Sequence, residues 1–196
     1  MKHQEMREAT SRAIMDAFWS LYRDLPIEKI TVKAICEKAG CNRSTFYEYY
    51  TDSYSVLEAI EEELLDYVRR KLTEELPASL ARSFPEIRLD AETLAPLSDM
   101  YTKRGEYFSI LTGVKGDPYF QYKYKQTIKE LLTEMLDDPA KKFDLSASIV
   151  AEFTASALIG AFNCWYPHRD EYPVEKYSLL LVNLLTNGVL PAIQKL

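Results

Sequence analysis

Glycine, cysteine and histidine are scarce in this sequence, with 6, 3 and 2 copies among 196 residues. Each scarcity excludes something. Six glycines without a glycine-rich run leave no loop to cradle a phosphate. Three cysteines, Cys36, Cys41 and Cys164, are an odd number at no framework spacing, which argues against a secreted disulfide scaffold. The histidines, His3 and His168, lie far apart with no cysteine or carboxylate at ligand spacing, so no metal site is expected. Neither histidine has an evident nucleophile, and no serine sits in a nucleophile-elbow context. The expectation is a non-enzyme with no cofactor. Runs of alternating apolar and polar residues bounded by hairpin signals are also missing, so strands are not expected. Uncharged stretches such as Phe153 to Pro167 read as too short to span a bilayer. The opening Met1-Lys2-His3-Gln4-Glu5 carries no apolar signal core. The expected setting is cytoplasmic, with no membrane partner.

Excess positive charge is missing too. Lys and Arg total 24 against 30 Asp and Glu, the net charge is −6, and the pI is about 5.1. A chain that coats nucleic acid by bulk charge is thereby excluded, but one that reads DNA through a small face is not. The distribution matters more than the total. Residues 1–50 carry 8 basic and 7 acidic side chains, the remainder 16 and 23. A near-neutral N-terminal part on an acidic body suits approach to a polyanion from one end.

Helical periodicity fills the chain, and nine prolines fall mostly between the periodic segments. A first helix is predicted from about Gln4 to Asp24, with Ile14, Ala17, Phe18, Leu21 and Tyr22 on its buried stripe. Thr31 N-caps a short second helix with Val32, Ile35 and Ala39 inward, and Gly40 ends it. Asn42 caps a third, Arg43 to Tyr49. Thr51 and Asp52 are cap candidates for a long fourth helix to about Leu76, with Val56, Leu57, Ile60, Leu64, Leu65 and Val68 on one stripe. Pro77 to Asp90 reads as looser. Helices follow near Ala91–Lys103, Gly105–Leu111, Asp117–Leu136, Leu145–Tyr166 and Val174–Leu190, with Asp117-Pro118 a strong start signal.

Two short helices meeting at a glycine are helix-turn-helix geometry. The second of them opens with Asn42, Arg43, Ser44 and Thr45. Short polar groups let a helix N-terminus enter the major groove, and its free N–H groups favour phosphate. Arg43 reaches guanine or phosphate bidentately, and Tyr47 and Tyr49 offer hydroxyls to a backbone oxygen. Thr31-Val32, Ile35, Ala39-Gly40, Arg43-x-Thr45-Phe46-Tyr47-x-x-Tyr50 and the helix from Asp52 with Val56-Leu57 together resemble the DNA-binding domain of the tetracycline-repressor (TetR) family of transcription regulators. The resemblance covers about Glu5 to Ile60. It implies that Thr31 and Lys33 touch phosphate, that Arg43, Ser44 and Thr45 enter the groove, that Tyr47 and Tyr49 clamp the backbone, and that Phe46 and Tyr50 are core. Ser53 stands where the family usually has a phosphate-contacting lysine, and Tyr49 where histidine is more frequent.

Further on, Tyr101-x-x-Arg-Gly-Glu-Tyr107-Phe108-Ser-Ile-Leu111, Gly116-Asp-Pro-Tyr-Phe120 and Phe153 to Trp165 with Gly160 are similar to the TetR subgroup that includes dihydroxyacetone-kinase operon regulators. The resemblance implies an all-α protein of about nine helices, with a three-helix helix-turn-helix domain at 1–51 and a helical effector-binding and dimerisation domain at 52–196. Of the many aromatics in the middle and late helices, Tyr101, Phe108, Phe120, Tyr124 and Phe153 are the expected ligand-lining residues for an apolar or aromatic effector. Asn163, the one amide of its apolar helix, reads equally as a ligand hydrogen-bond group or as a residue that sets dimer register. Ala147, Ala151 and Ala155 recur every fourth residue, and Ala157, Gly160 and Ala161 extend the small surface. Ala151, Ala155, Leu158 and Phe162, with Leu180 and Leu184 of the last helix, are the expected homodimer face of a four-helix bundle. The function expected is a ligand-responsive repressor that binds a pseudopalindromic duplex operator as a homodimer. The alternative is a coactivator of the same fold acting through a protein partner. Cys36, Cys41 and Cys164 read as small apolar core residues.

Overall fold

The computed structural model describes residues 2–75, 95–113, 116–136 and 145–188, and among them every regular element is helical. The chain divides into two compact units, Met1–Leu64 and Leu65–Leu196, each described by itself.

In the first unit, the predicted stripe of the N-terminal helix buries Ile14, Ala17, Phe18 and Tyr22 along α1 (Lys2–Tyr22), with the Phe18 and Tyr22 rings stacked at 5.5 Å. Helix α2 (Val32–Ala39) begins where the Thr31 hydroxyl accepts the Ala34 N–H at 3.2 Å. It ends at Gly40, whose φ of 68° is a left-handed conformation that a Cβ disfavours. Helix α3 (Arg43–Tyr47) is capped by Asn42, whose Oδ1 accepts the Thr45 N–H at 2.8 Å. Helix α4 (Ser53–Arg70) opens on a reciprocal cap. Asp52 Oδ1 accepts the Ser55 N–H at 2.8 Å, while Ser55 Oγ accepts the N–H of Thr51 and of Asp52. Serine here takes the part glutamate usually plays in a capping box. Ile14, Phe18, Ile35, Phe46 and Val56 are fully buried and form the centre of this unit. Residues Ser53 to Leu64 of α4 belong to it, so the compact unit extends past the expected 51/52 boundary.

The second unit contains the remainder of α4, a single π-helical turn at Lys71–Glu75, and helices α5 (Ala95–Leu111), α6 (Pro118–Leu136), α7 (Leu145–Trp165) and α8 (Val174–Asn187). The expected loose stretch Pro77 to Asp90, the start of the helix placed near Ala91, and the end placed at Leu190 lie outside the described residues. Asp117 caps α6 as expected, its carboxylate accepting the Tyr119 N–H at 2.8 Å. Asp99 bridges Lys71 and Lys103, each at 2.9 Å, and hydrogen bonds from Lys103 and Lys71 hold its carboxyl below the usual range.

One expected break is absent. The sequence pattern predicts the end of one helix at Lys103 and the start of the next at Gly105, yet α5 runs unbroken through them. Gly105 serves packing instead. A Cβ there would lie 2.3 Å from Cε2 of Tyr166, in the 3₁₀ turn Tyr166–His168 that follows α7. Gly105→Ala sets two effects against each other. Helix propensity favours alanine by about 1 kcal/mol. Displacing the Tyr166 ring, which packs on Phe162 at 5.2 Å, carries an overpacking penalty of about 1–3 kcal/mol. The expected result is a net loss of stability, seen as a Tm lowered by a few degrees. Tyr166→Ala in the same chain should remove the penalty, so that the double mutant is non-additive. An unchanged Tm in Gly105→Ala would refute the packing role.

Helix α7 with its 3₁₀ extension, Leu145–His168, is long and apolar enough to cross a membrane by length and composition, which corrects the expectation that this region is too short. Glu152 sits in it, paired with Lys125 and, at 3.2 Å, with Lys129 of α6. Hydrogen bonds from those two lysines lower its pKa.

Candidate functional site

The helix-turn-helix presents a short exposed ridge. Asn42, Arg43 and Ser44 are exposed at the start of α3, and Thr45 is half-buried. Asn42 Oδ1 accepts both the Thr45 N–H and the Ser44 hydroxyl, the latter at 2.6 Å. The first turn is therefore held rigid by its own side chains, which lowers the entropy lost on docking. Phe46, fully buried, anchors the helix from beneath. Thr31 and Lys33 are exposed at the start of α2, Lys33 at 3.7 Å from Glu37. Both partners of that pair are two-thirds exposed, so it costs little to break.

The two tyrosines differ. Tyr47 is 58% exposed, with its ring edge-on to Phe46. Tyr49 is half-buried, and the Arg7 guanidinium of α1 lies 5.6 Å over its ring. The Tyr50 hydroxyl is bonded to Ser11 Oγ at 2.8 Å, tying the end of the motif to α1. Ser53, where the family usually has lysine, is only 8% exposed and cannot present its hydroxyl far from the surface. The residue beside it was missed in the sequence. Tyr54 is 54% exposed in the first turn of α4, and the apolar-stripe reading gave no signal for an outward aromatic there. A groove beside Tyr49 is lined by Arg7, Arg12, Glu8 and Glu63. Its opposite charges offset one another, and Arg12 pairs with Glu63 at 2.9 Å, so it offers no net attraction to phosphate.

In the second unit, the residues expected to line an effector site fall into two groups. Tyr101, Phe108, Phe120 and Tyr124 are buried and form one aromatic column. Phe120 stacks on Tyr124 at 5.9 Å, Tyr124 meets Phe108 at 5.0 Å, Phe108 meets Phe162 edge-on, and Phe162 stacks on Tyr101 at 4.8 Å. Trp165, one of the aromatics of the late helices, and Tyr177, which the sequence did not single out, close the column with rings 4.2 Å apart. Burial pushes the Tyr101 phenol up to about 12, and raises Tyr124 and Tyr177 as well. All three remain hydrogen-bond donors at neutral pH. The Tyr177 hydroxyl is buried and makes no hydrogen bond of good geometry among the described residues, although it lies beside that of Tyr101.

Phe153 is the exception. It is 68% exposed and faces away from the column, so it does not line this core. Asn163 has an internal use. Its Oδ1 lies 2.7 Å from Thr112 Oγ and its Nδ2 donates to the Thr112 carbonyl at 3.2 Å, which brackets α7 to the end of α5.

The small-residue row also faces the other way from the expectation. Ala151, Ala155 and Phe162 are at most 2% exposed and lie in the subunit core, where small side chains let α7 pack closely along α6. They have no surface to give a second subunit. Leu158, Leu180 and Leu184 are half-buried. The outward face of α7 consists of Ile149, Phe153, Ala157, Gly160 and Cys164, joined by exposed Leu179 and Leu185 of α8. An every-fourth-residue alanine pattern specifies a close helix contact, but not whether the neighbour is in the same chain.

A family described as the C-terminal region of transcriptional regulators, of the TetR type, matches residues 91–187. An uncharacterised helix-turn-helix transcriptional regulator, YxbF of Bacillus subtilis (strain 168), is 33% identical over 67 residues. Those residues are 34% of this chain and 18% of that relative's length, so the chain matches less than a fifth of it. Three solved structures share the fold. A TetR transcriptional regulator from Streptococcus agalactiae superposes with a TM-score of 0.62 at 22% identity, covering 94% of this chain and 98% of that one. The dihydroxyacetone kinase operon activator DhaS gives 0.59 at 20%, covering 92% and 96%. The fatty acid degradation regulator FadR from Bacillus halodurans gives 0.64 at 17%, with the same coverage.

Proposed function

The chain is a transcriptional regulator of the TetR type, and we propose that it represses transcription by binding a pseudopalindromic duplex as a homodimer and leaving it when a small apolar or aromatic effector binds. The observation that carries this reading is the start of α3, where Asn42, Arg43 and Ser44 form a short, exposed, self-capped helix end on a buried phenylalanine. In the proposal, Arg43 reads a base edge, with Ser44 and Thr45 beside it in the groove. Asn42 and Tyr47 contact the backbone, as do Thr31 and Lys33 from α2. Tyr49, braced by Arg7, adds its hydroxyl. A duplex operator as target would place the protein in the cytoplasm.

The dimer would form through the outward face of α7. Ile149, Phe153, Ala157, Gly160 and Cys164 follow one another at steps of four, four, three and four residues, all exposed. Large side chains lie at one end of this stripe and small ones at the other. An antiparallel copy rotated about a two-fold axis near Ala157 sets Phe153 of each subunit over Gly160 of its partner. No atom stands within 4 Å of the Cβ position at Gly160, so the notch is open. The effector would enter the aromatic column of the second unit. Its coupling to DNA would run through α4, whose residues are shared between the two units. To lower occupancy substantially, the effector must prefer the non-binding state by a few kcal/mol.

The test is enrichment of bound sequences from a random duplex library at near-physiological salt. A pseudopalindrome with half-sites about 34 Å apart, or somewhat more, is the expected outcome. No enrichment from folded, dimeric protein would sink the DNA-binding reading. It would favour the second one, a coactivator of the same fold acting through a protein partner.

A further inference from the structure

The last turn of α2 and the turn that follows it hold two of the three cysteines, Cys36 and Cys41. After the left-handed Gly40, the Cys41 N–H donates to the Cys36 carbonyl at 3.1 Å. This is the long bond of a Schellman cap, and the motif commonly lays the side chain of the residue after the glycine on that of the residue it bonds. The pair so joined is Cys36 and Cys41. A contact ordinarily made by two apolar groups is made here by two thiols. They are not equivalent: Cys36 is buried and Cys41 half-buried, so Cys41 is the more accessible of the two to a small solute. Burial raises the Cys36 thiol above its ordinary value, and the adjacent Cys41 raises it further. A direct backbone hydrogen bond between the two residues brings their Cα atoms close to the roughly 4.4–6.8 Å that a disulfide spans.

We propose that Cys36 and Cys41 are a hydroperoxide-oxidisable dithiol, and that their disulfide weakens DNA binding by displacing the start of α3. The consequence rests on the DNA-binding reading above; the thiol chemistry does not. The Cys41 thiolate attacks one peroxide oxygen, the O–O bond breaks, and the departing oxygen leaves as water, or as an alcohol from an organic peroxide. Cys41 becomes a sulfenic acid. Cys36 then attacks the Cys41 sulfur, the S–S bond forms, the S–O bond breaks, and the hydroxide leaves as water with the Cys36 proton. Two thiols lose two electrons and two protons, and the peroxide is reduced. A bond of about 2.05 Å is much shorter than van der Waals contact between sulfurs, so the two sulfurs must close on each other, and the fixed Cβ–S–S–Cβ dihedral of about 90° passes that adjustment to the tight turn at Cys41. The next residue is Asn42, whose Oδ1 holds the first turn of α3 through the Thr45 N–H, and Arg43 follows it.

The experiment uses the full chain carrying Cys164→Ser, so that only the pair can react, with hydrogen peroxide as the probe. The expected result is a mass loss of about 2 Da, loss of both titratable thiols, and a proteolytic fragment joining Cys36 to Cys41, all reversed by dithiothreitol. On the duplex enriched by the reduced protein, oxidation should lower affinity about tenfold or more, the scale of one lost base contact. Cys41→Ser should bind that duplex in a peroxide-insensitive way. If that variant fails to fold, Cys41→Ala serves the same purpose. Stepwise oxygen addition without the 2 Da loss overturns the dithiol. A disulfide that leaves affinity within about twofold overturns the switch. Should the reduced protein enrich no duplex, the DNA-binding reading and the regulatory half of this proposal both fall, while the mass readout still decides the chemistry.

Discussion

Arg43→Ala is expected to weaken operator binding more than any other single change in the helix-turn-helix, and to leave the fold intact. The side chain is exposed at the first position of α3, so its removal takes nothing from the core. Exposed substitutions of this kind usually move stability by no more than about 0.5 kcal/mol. Binding is different. A bidentate arginine contact to a base is worth about 1–3 kcal/mol of discrimination, and the proposed homodimer would lose two of them, so the total reaches roughly 2–6 kcal/mol. Even the lower figure is about thirtyfold in affinity. The measurement is a duplex titration of wild type and variant beside their thermal melts. Specificity at one base position should relax, whereas loss of a phosphate contact alone would lower affinity uniformly and shallow the salt dependence. Full operator affinity in Arg43→Ala, with an unchanged melt, would take Arg43 out of the interface.

How much of this was legible in the sequence depends on what each residue answers to. Thr31, Gly40, Asn42 and Asp117 mark helix ends through their own side chains or backbone freedom, and each acts within a few residues. Local chemistry of that sort can be read from a string. Gly105 cannot, because its reason is the Tyr166 ring some sixty positions later. The four-residue spacing of Ala151 and Ala155 marks a close-contact row, and the structure buries that row inside the subunit instead of at a partner's helix. Nothing in a four-residue period distinguishes α6 of the same chain from a helix of another. Phe153 went astray for the same reason. Its helix is apolar nearly all round, so hydropathy gave no inside and no outside, and only the packed structure separates the buried row through Phe162 from the exposed row through Phe153. The candidate DNA face was the more legible site because its features are sequence-contiguous. The aromatic column draws on α5, α6, α7 and α8, and one of its members, Tyr177, carries no signal in the sequence that sets it apart.

That exposed row gives the other large effect. Phe153→Asp should convert the proposed dimer to monomer and reduce binding of the proposed pseudopalindrome to the level of a single half-site. The argument starts from burial. Phe153 is 68% exposed within the subunit, so replacing it leaves the subunit core unaltered. In the proposed antiparallel pairing, each Phe153 would lie over the partner's Gly160 and lose most of that exposure. Fully burying such a ring is worth about 1.5–3 kcal/mol, and symmetry makes it count twice. Aspartate forfeits that gain and in addition places two carboxylates in an apolar contact whose stripe, Ile149, Ala157, Gly160 and Cys164, has no cation to pair with them. The combined loss is a large part of the roughly 8–12 kcal/mol that separates a micromolar or nanomolar dimer from free subunits. Without the dimer, the second half-site no longer binds at the high effective concentration its tether provides, and avidity collapses. Sedimentation of wild type and Phe153→Asp at matched micromolar concentration reads the assembly directly. Gly160→Leu, which fills the notch from the opposite side, should produce the same shift through a different atom. If both variants sediment as dimers, subunits meet elsewhere, and the half-site spacing selected from the random library becomes the constraint from which to locate that surface.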